Sequence, residues 1–375
     1  MIRVFCLLVT ILAAACVERP TTPPPVTTLA LSELEGFSEA ALLPAVETFI
    51  RTCPRLLSKR ARGRLAGLDW TSACQNAGFV ITEEDAHAFL VTTFDAVMLD
   101  GGDALITGYF EPVFPGSASP TEEFSAPLLA RPDDLVSVDL GTFRSELSGQ
   151  RLAGRVEAGR LVPFADRAAI EANPPESAEI LGYMHPDDLF FLQIQGSGVV
   201  DLASGPRRIG YAAQNGHSYV AIGKTLVDEG IMPIKQVTMQ SIRAWLAAAP
   251  PTEAARVRAS NPSYVFFQDR GPADDEAGPL GSAGVPLIPR VSAAVDPLVI
   301  PLGAPVWIDG ADEGFVFQGL TIAQDTGGAI KGSGRVDLFL GRGDEAGAIA
   351  GALKLPARMV VLIPKSEANA FAALP

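Results

Sequence analysis

The feature that most limits the possible folds of this chain is the pattern that follows residue 260. From Asn261 onwards, short apolar runs alternate with glycine, proline and aspartate. Short apolar runs bounded by such turn-forming residues are typical of β-strands. The whole chain contains 36 glycines and 30 prolines, and its aromatic residues are few. The sequence therefore predicts a mainly β fold with many loops and some helices.

Several helices and two strands are predicted before that region. Thr82 and Asp85 have the spacing of a capping box at the start of a helix. The predicted helices follow Ser38 and Thr82 and cover residues 214–227 and 238–246, whereas residues 104–112 and 190–198 are predicted as strands. The sequence pattern changes after residue 112, where prolines, glycines and short apolar runs become frequent.

The N-terminus has the features of an export signal. Arg3 precedes an apolar run that ends at Ala15, is of signal-peptide length and is short for a membrane span. Small residues precede Cys16, as in bacterial lipoproteins, but the large apolar residue lies four positions before it and not three. An ordinary signal peptidase site at Ala15 therefore stays open. We expect a signal peptide over residues 1–15 and a proline-rich tether over residues 16–30, behind a lipidated Cys16.

The other mature cysteines, Cys53 and Cys74, bear on the fate of Cys16. Their spacing fits no common zinc pattern, and in an oxidising compartment they are a candidate disulfide pair. Pairing them would leave Cys16 as the odd thiol, which its modification would explain. Two buried free thiols are the alternative.

Composition and missing motifs exclude several classes of function. The net charge of −14 offers no basic footprint for nucleic acid. The three histidines, His87, His185 and His217, form no metal-binding pair. The sequence also lacks the serine-nucleophile, Walker and Rossmann patterns. No metal or cofactor is expected, and acid–base chemistry by carboxyl groups remains.

Three aspartates, Asp296, Asp325 and Asp337, differ from the other acidic residues because each follows or interrupts an apolar β-type run. Ionised aspartate is seldom buried without partners. Asp325 opens onto residues 326–328, whose free N–H groups would hold its carboxylate ionised. The apolar neighbours of Asp337 would raise its pKa and keep it protonated, as a general acid requires. From spacing alone, both residues stay open to a structural role in pinning turns.

A series of motifs resembles the membrane-bound lytic murein transglycosylase A family over roughly residues 100 to 365. The motifs are, in order, Thr107-Gly-Tyr-Phe-Glu-Pro112, Pro163-Phe-Ala-Asp-Arg-Ala168, Gln193-Ile-Gln-Gly-Ser-Gly198, the stretch from Gly210 to Lys224, Asn261-Pro-Ser-Tyr-Val-Phe-Phe267, Asp325-Thr-Gly-Gly-Ala-Ile-Lys-Gly332 and Val336-Asp-Leu-Phe-Leu-Gly341. The last segment also resembles the 3D module, which is named for three aspartates, here Asp296, Asp325 and Asp337.

The resemblance implies a fold. It predicts a double-psi β-barrel domain formed by both chain ends, a second β-domain inserted into it, and a glycan-binding groove between them. Residues 31–112 and 261–375 would form the barrel domain, and residues 113–260 would form the insertion.

The resemblance also implies a reaction. The family cleaves the β-1,4 bond between N-acetylmuramic acid and N-acetylglucosamine without water, because the muramyl 6-hydroxyl attacks its own anomeric carbon and leaves a 1,6-anhydro end. An ordinary glycosidase needs two carboxyl groups, but an internal nucleophile removes the need for the second. The family pattern places the acid/base on Asp337 and a supporting role on Asp325. Substrate-binding residues are expected at Tyr109, Glu111, Gln195, Ser197 and Lys331.

The implied setting is the periplasm, with lipidated Cys16 anchoring the protein to the inner face of the outer membrane. Peptidoglycan glycan strands are the expected substrate, and cell-wall synthesis or division proteins are candidate partners. A non-catalytic peptidoglycan-binding or scaffold protein on the same fold is the main alternative. A hydrolase of another β-linked glycan is a third.

Overall fold

The computed structural model describes residues 27–58, 67–99, 101–147, 150–273, 278–312 and 314–367. The predicted signal peptide, Cys16 and most of the predicted tether lie outside the described residues. The end of that tether does not, because Thr27–Leu29 forms a strand that pairs with Phe94–Met98. The folded region therefore begins before residue 31.

The described residues contain strands and helices in comparable amounts. The strands are β1 (Thr27–Leu29), β2 (Phe94–Met98), β3 (Asp103–Glu111), β4 (Val113–Ser117), β5 (Ala126–Leu129), β6 (Val136–Asp139), β7 (Arg151–Glu157), β8 (Arg160–Pro163), β9 (Ile180–Met184), β10 (Ser197–Leu202), β11 (Gly205–Gln214), β12 (Val265–Pro272), β13 (Ser292–Ala294), β14 (Pro305–Ala311), β15 (Val316–Asp325), β16 (Arg335–Arg342) and β17 (Lys354–Pro364). The α-helices are α1 (Leu43–Leu56), α2 (Thr71–Ala77), α3 (Glu83–Thr93), α4 (Arg167–Ala172), α5 (Pro186–Gln195), α6 (Ile222–Asp228), α7 (Met239–Ala248), α8 (Pro251–Ala259) and α9 (Gly343–Ala352).

The two ends of the described chain form one barrel. Its sheet runs β1-β2-β17-β14-β15-β13-β16-β3, and β3 pairs in addition with β17. That second pairing joins β3, β17, β14, β15, β13 and β16 into a ring. Two of its pairings, β13 with β15 and β16 with β3, are parallel, and the other pairings in the ring are antiparallel. This part, the barrel domain, has the predicted double-psi β-barrel architecture.

The inserted domain runs from β4 to β12. Its main sheet has the order β12-β11-β10-β4-β9-β5, and β6, β7 and β8 form a small separate sheet. β12 extends to Pro272 and pairs with β11. The predicted insertion ends at residue 260, but the sheet places its end at Pro272, because β12 continues a sheet of the insertion and not of the barrel.

The chain crosses between the two domains twice, and each domain has its own core. It leaves the barrel domain at Pro112, between β3 and β4, and returns after Pro272. Phe49, Phe94 and Trp307 belong to the large core of the barrel domain. A separate apolar cluster fills the inserted domain. Burial of each of these aromatic side chains contributes roughly 2–3 kcal/mol.

A disulfide joins two helices of the barrel domain, and a side-chain hydrogen bond ties one of them to the barrel. Cys53 on α1 and Cys74 on α2 are joined by a disulfide, with their Cα atoms 5.7 Å apart. Gln324 Nε2 donates to Thr52 Oγ1 at 2.9 Å, which ties α1 to the strand that carries Asp325.

Two of the predicted helices have the predicted start. Thr82 caps α3 and exchanges hydrogen bonds with Asp85, with the N–H of each residue reaching the other's side chain. Thr238 caps α7 in the same way. The helix predicted after Ser38 begins later, at Leu43.

The segment 190–198 was wrongly predicted as a strand, because most of it is the end of helix α5. Five consecutive residues, 189–193, are buried, so this stretch shows no helical alternation of apolar and polar residues. The helix predicted over residues 214–227 was also wrong at its start. Asn215 accepts from Tyr264 N–H and donates to the Ala165 carbonyl, which holds the segment in a loop until α6 begins.

Candidate active site

Strand register brings Asp325 and Asp337 to one place in the barrel. Ala294 of β13 pairs with Asp325 of β15 on one side and with Asp337 of β16 on the other. Residues in register on neighbouring strands share a face of the sheet, and strands lie about 4.8 Å apart. The two carboxyl groups therefore project from strands that flank the same short strand. β3 lies beyond β16, with Thr107 in register with Asp337.

Asp337 has a mostly apolar setting and one hydroxyl donor. Its sequence neighbours Val336 and Leu338 are buried on the opposite face of β16, and the buried Phe339, two residues on, shares its face. Thr107 Oγ1 donates to Asp337 Oδ1 at 2.8 Å. Burial raises the pKa of Asp337 above its ordinary value, and the charge of Asp325 adds to this, while Thr107 and Arg335 oppose it. The net rise increases the fraction of Asp337 that carries a proton at a given pH.

Asp325 receives more hydrogen bonds than Asp337. Tyr109 Oη donates to Asp325 Oδ2 at 3.1 Å. Ser282 donates to Asp325 Oδ1 through its N–H at 3.0 Å and its hydroxyl at 2.8 Å. The backbone N–H in contact with this carboxylate is thus that of Ser282, where the sequence pointed to residues 326–328. These three hydrogen bonds fix the position of the Asp325 carboxyl group in the site.

Tyr109 is half-buried, lines the cavity described below and contacts Asp325. Its ring packs on Phe339 with centroids 5.3 Å apart. Burial raises the pKa of the Tyr109 hydroxyl well above its ordinary value, and the charge of Asp325 adds to the rise. The hydroxyl therefore stays protonated and remains a donor.

Both aspartates open into a cavity of about 300 Å³. The barrel domain contributes Asp325, Asp337 and Tyr109 to its lining, and the inserted domain contributes Gln195 and Ser197. Gln195 ends α5 and Ser197 begins β10. Between them, Gly196 has φ 81°, a left-handed conformation that favours glycine and turns the chain sharply enough to present both side chains to the cavity.

A larger cavity of about 650 Å³ adjoins the first one. The two share Tyr109, Phe110 and Gln195 in their linings. The larger cavity is also lined by residues of α7 in the inserted domain and of α9 in the barrel domain. Both cavities therefore depend on how the two domains are placed.

Two predicted substrate-binding residues, Glu111 and Lys331, lie outside these cavities. Glu111 is buried and pairs with Arg208 and Arg342 at N–O distances of 3.0 and 2.8 Å. Lys331 is exposed and its charge acts on Asp296.

Asp296 is the third aspartate of the sequence pattern, and it does not line the cavity with the other two. Its carboxylate accepts from the N–H groups of Leu298 at 3.1 Å and Gly332 at 2.9 Å. Burial opposes ionisation, but these N–H donors and Lys331 lower the pKa of Asp296 overall. These contacts suit Asp296 to the structural role, pinning a turn, that the sequence left open for Asp325 and Asp337.

Sequence reasoning missed Thr107 and Ser282 as partners of the two aspartates. Thr107 opens the first motif, and its place two residues before Tyr109 on one strand was a usable signal. Ser282 lies in an irregular segment and comes within reach of Asp325 only through the fold, so no local pattern marks it.

Among the described residues, no group of His, Cys, Asp or Glu is arranged to hold a metal ion. The helices of the described part include none that is long and apolar enough to cross a membrane.

The chain matches two family models. Residues 105–268 match the MltA specific insert domain, and residues 291–363 match the 3D domain. The chain is also 32% identical over 271 residues to membrane-bound lytic murein transglycosylase A of Escherichia coli. That match covers 68% of this chain and 66% of the relative, so it spans just under two thirds of the relative's length.

Two solved structures are similar over nearly the whole fold. MltA from Neisseria gonorrhoeae has 32% sequence identity and a TM-score of 0.79, with 90% of this chain and 92% of that chain covered. Escherichia coli MltA with bound chitohexaose has 27% identity and a TM-score of 0.61, with 87% and 90% covered.

Proposed function

This chain belongs to the membrane-bound lytic murein transglycosylase A family, and we propose that it is a lytic transglycosylase that cleaves the glycan strands of peptidoglycan. The observation that carries the proposal is the pair of unlike aspartates, Asp325 and Asp337, in one cavity walled by both domains. The chitohexaose bound to the Escherichia coli relative supports a glycan as the ligand of this cleft.

Asp337 is the acid/base in the proposed mechanism. Its raised pKa supports a protonated carboxyl group, and closure of a glycan over the cavity would remove water and favour that form further. The Asp337 proton passes to the glycosidic oxygen as the bond between that oxygen and the muramyl anomeric carbon breaks. The leaving sugar departs with a hydroxyl group, and Asp337 is left as a carboxylate.

The muramyl 6-hydroxyl then supplies the nucleophile. Its oxygen bonds to the anomeric carbon, and its proton passes to the Asp337 carboxylate, which restores the starting acid. The product is a 1,6-anhydromuramyl end, and no water is consumed. One carboxyl group therefore serves both steps, where a hydrolytic glycosidase uses two.

Asp325 supports this reaction as a negative charge. Its three donors, from Tyr109 and Ser282, hold its position in the cavity. A carboxylate near the anomeric carbon would stabilise the positive charge that develops there. Gln195 and Ser197, which the inserted domain contributes to the cavity lining, have the hydrogen-bonding groups to hold sugar hydroxyl or acetamido groups.

The proposed location is the periplasm, with lipidated Cys16 anchoring the protein to the outer membrane. The membrane-bound relatives support association with the cell envelope. The intact mass of the protein from the membrane fraction tests the anchor, because lipidation adds the mass of acyl chains. A mass that begins at residue 16 without acyl chains would point to cleavage by ordinary signal peptidase.

The activity itself is tested by incubating purified murein sacculi with the protein and analysing the soluble products by mass spectrometry. We expect anhydromuropeptides. The alternative, a non-catalytic binding or scaffold protein, predicts that the protein sediments with sacculi but releases nothing. A hydrolase would release reducing ends that carry added water, and either of these results would contradict the proposal.

A further inference from the structure

Glu111 lies where the chain first leaves the barrel domain, one residue before Pro112. Its carboxylate is fully buried, with a side-chain exposure of 0%. Arg208 Nε donates to Glu111 Oε1 at 3.0 Å, and Arg342 Nε donates to Glu111 Oε2 at 2.8 Å. Each carboxylate oxygen therefore has its own guanidinium donor.

The two arginines come from different domains. Arg208 is on β11 of the inserted domain, and Arg342 ends β16 of the barrel domain. Arg342 also donates from Nη1 to the carbonyl of Ala273 at 2.7 Å, where the chain returns to the barrel. These three charged residues, the junction cluster, thus contact both domains and both crossings of the chain.

The junction cluster is attached directly to the candidate active site. Thr107, Tyr109 and Glu111 alternate along β3, so their side chains share one face of that strand. The first contacts Asp337 and the second contacts Asp325. β3 therefore carries, on one face, a contact to each aspartate and the carboxylate that holds the inserted domain.

We infer that Glu111 is a positioning residue that sets the distance between the aspartates and the part of the cleft lining that the inserted domain contributes, Gln195 and Ser197. This inference rests on the proposed function. The fixed partners of a buried carboxylate allow few alternative geometries, and burial of such a cluster favours one arrangement more than it adds stability. A cleft whose walls come from both domains requires a rigid connection between them, and the junction cluster is such a connection. A small displacement of one wall costs binding even when each domain remains folded.

The test uses Arg208→Gln and Glu111→Gln, with Glu229→Gln as the matched control. Glu229 also accepts two hydrogen bonds from one arginine, Arg256, but it is partly exposed and both residues belong to the inserted domain. Chitohexaose affinity is measured by calorimetry in the full chain, with each substitution placed in an Asp337→Asn background to prevent turnover. Melting temperatures are recorded in parallel, so that binding is compared well below unfolding.

We expect Arg208→Gln and Glu111→Gln to weaken chitohexaose binding by roughly 10- to 100-fold, and Glu229→Gln to leave it unchanged. Arg208→Lys keeps the charge and should recover part of the loss. If Glu111→Gln does not fold, Arg208→Gln decides, because it leaves the contact between Glu111 and Arg342 in place. Variants that melt lower but bind like the parent would show a purely structural cluster and overturn the inference.

Failure of the proposed function has a separate sign. It would appear as turnover of sacculi that survives Asp337→Asn, or as absence of turnover in the unaltered chain. The binding comparison does not depend on either result, so the two claims fail independently.

Discussion

Asp337 and Asp325 are the same residue type in the same cavity, but their surroundings differ. Asp337 receives one hydrogen bond, from the Thr107 hydroxyl, and burial raises its pKa. Asp325 receives three hydrogen bonds, from Tyr109 and from two groups of Ser282. Burial raises the pKa of Asp337, whereas Asp325 is distinguished by the number of donors that hold it in place. The two residues lie on the strands that flank Ala294, and their different contacts suit them to different roles.

The largest expected effect on turnover comes from replacing Asp337, the carboxyl group with one hydrogen-bond donor. Asp337→Asn should lower the turnover of sacculi by roughly 10³-fold or more, because it removes the only proposed proton donor. Mass-spectrometric counting of anhydromuropeptides over time measures the loss, and circular dichroism checks the fold. A variant that kept a tenth of the activity would remove Asp337 from the central role.

Replacing the other aspartate should cost less. Asp325→Asn keeps the shape of the side chain but removes its charge, so turnover should fall by up to roughly 10²-fold. The same sacculus assay gives the comparison. A loss equal to or larger than that of Asp337→Asn would reverse the assignment of the two carboxyl groups.

A smaller effect, on the pH dependence of activity, tests which of the two carboxyl groups acts as the acid. Thr107 lowers the pKa of Asp337, so Thr107→Val should raise that pKa further and move the alkaline limb of the kcat/KM profile to higher pH. Ser282→Ala is the matched control because it removes a donor from Asp325 instead. A limb that stays in place in Thr107→Val, or that moves as far in the control, would contradict the assignment.

The smallest effect is on stability. The pKa of Asp337 is higher in the folded state than the ordinary value of 3.8, so the folded state binds its proton more tightly. The resulting stabilisation is present below pH 3.8 and is lost as the pH rises through the folded-state pKa. Asp337→Asn should therefore melt higher than the parent at neutral pH, on the order of 2 °C, and this gain should vanish near pH 3. A lower melting temperature at pH 7 would contradict the direction of the shift.

The sequence predicts the parts of the site that belong to regular strands. Apolar runs mark the β-strands that carry Asp325 and Asp337. The capping box of Thr82 is equally local. These predictions succeed because strand alternation and helix caps involve residues a few positions apart.

The parts that the sequence does not predict are set by distant contacts. Ser282 meets Asp325 across 43 positions, and Glu111 meets Arg208 across 97. Glu111 therefore looks like a polar ligand in its motif but is buried at the domain junction. α5 has the apolar run of a strand because residues 189–193 are all buried, and no local pattern distinguishes the two cases.

Product analysis in H₂¹⁸O tests the central claim, that one carboxyl group cleaves the glycan without water, most directly. Sacculi are digested with the unaltered chain in labelled water, and the soluble fragments are weighed by mass spectrometry. Cleavage by the muramyl 6-hydroxyl predicts anhydro ends that contain no ¹⁸O. Reducing ends that carry ¹⁸O would show that water is the nucleophile, and the one-carboxyl account would then be wrong.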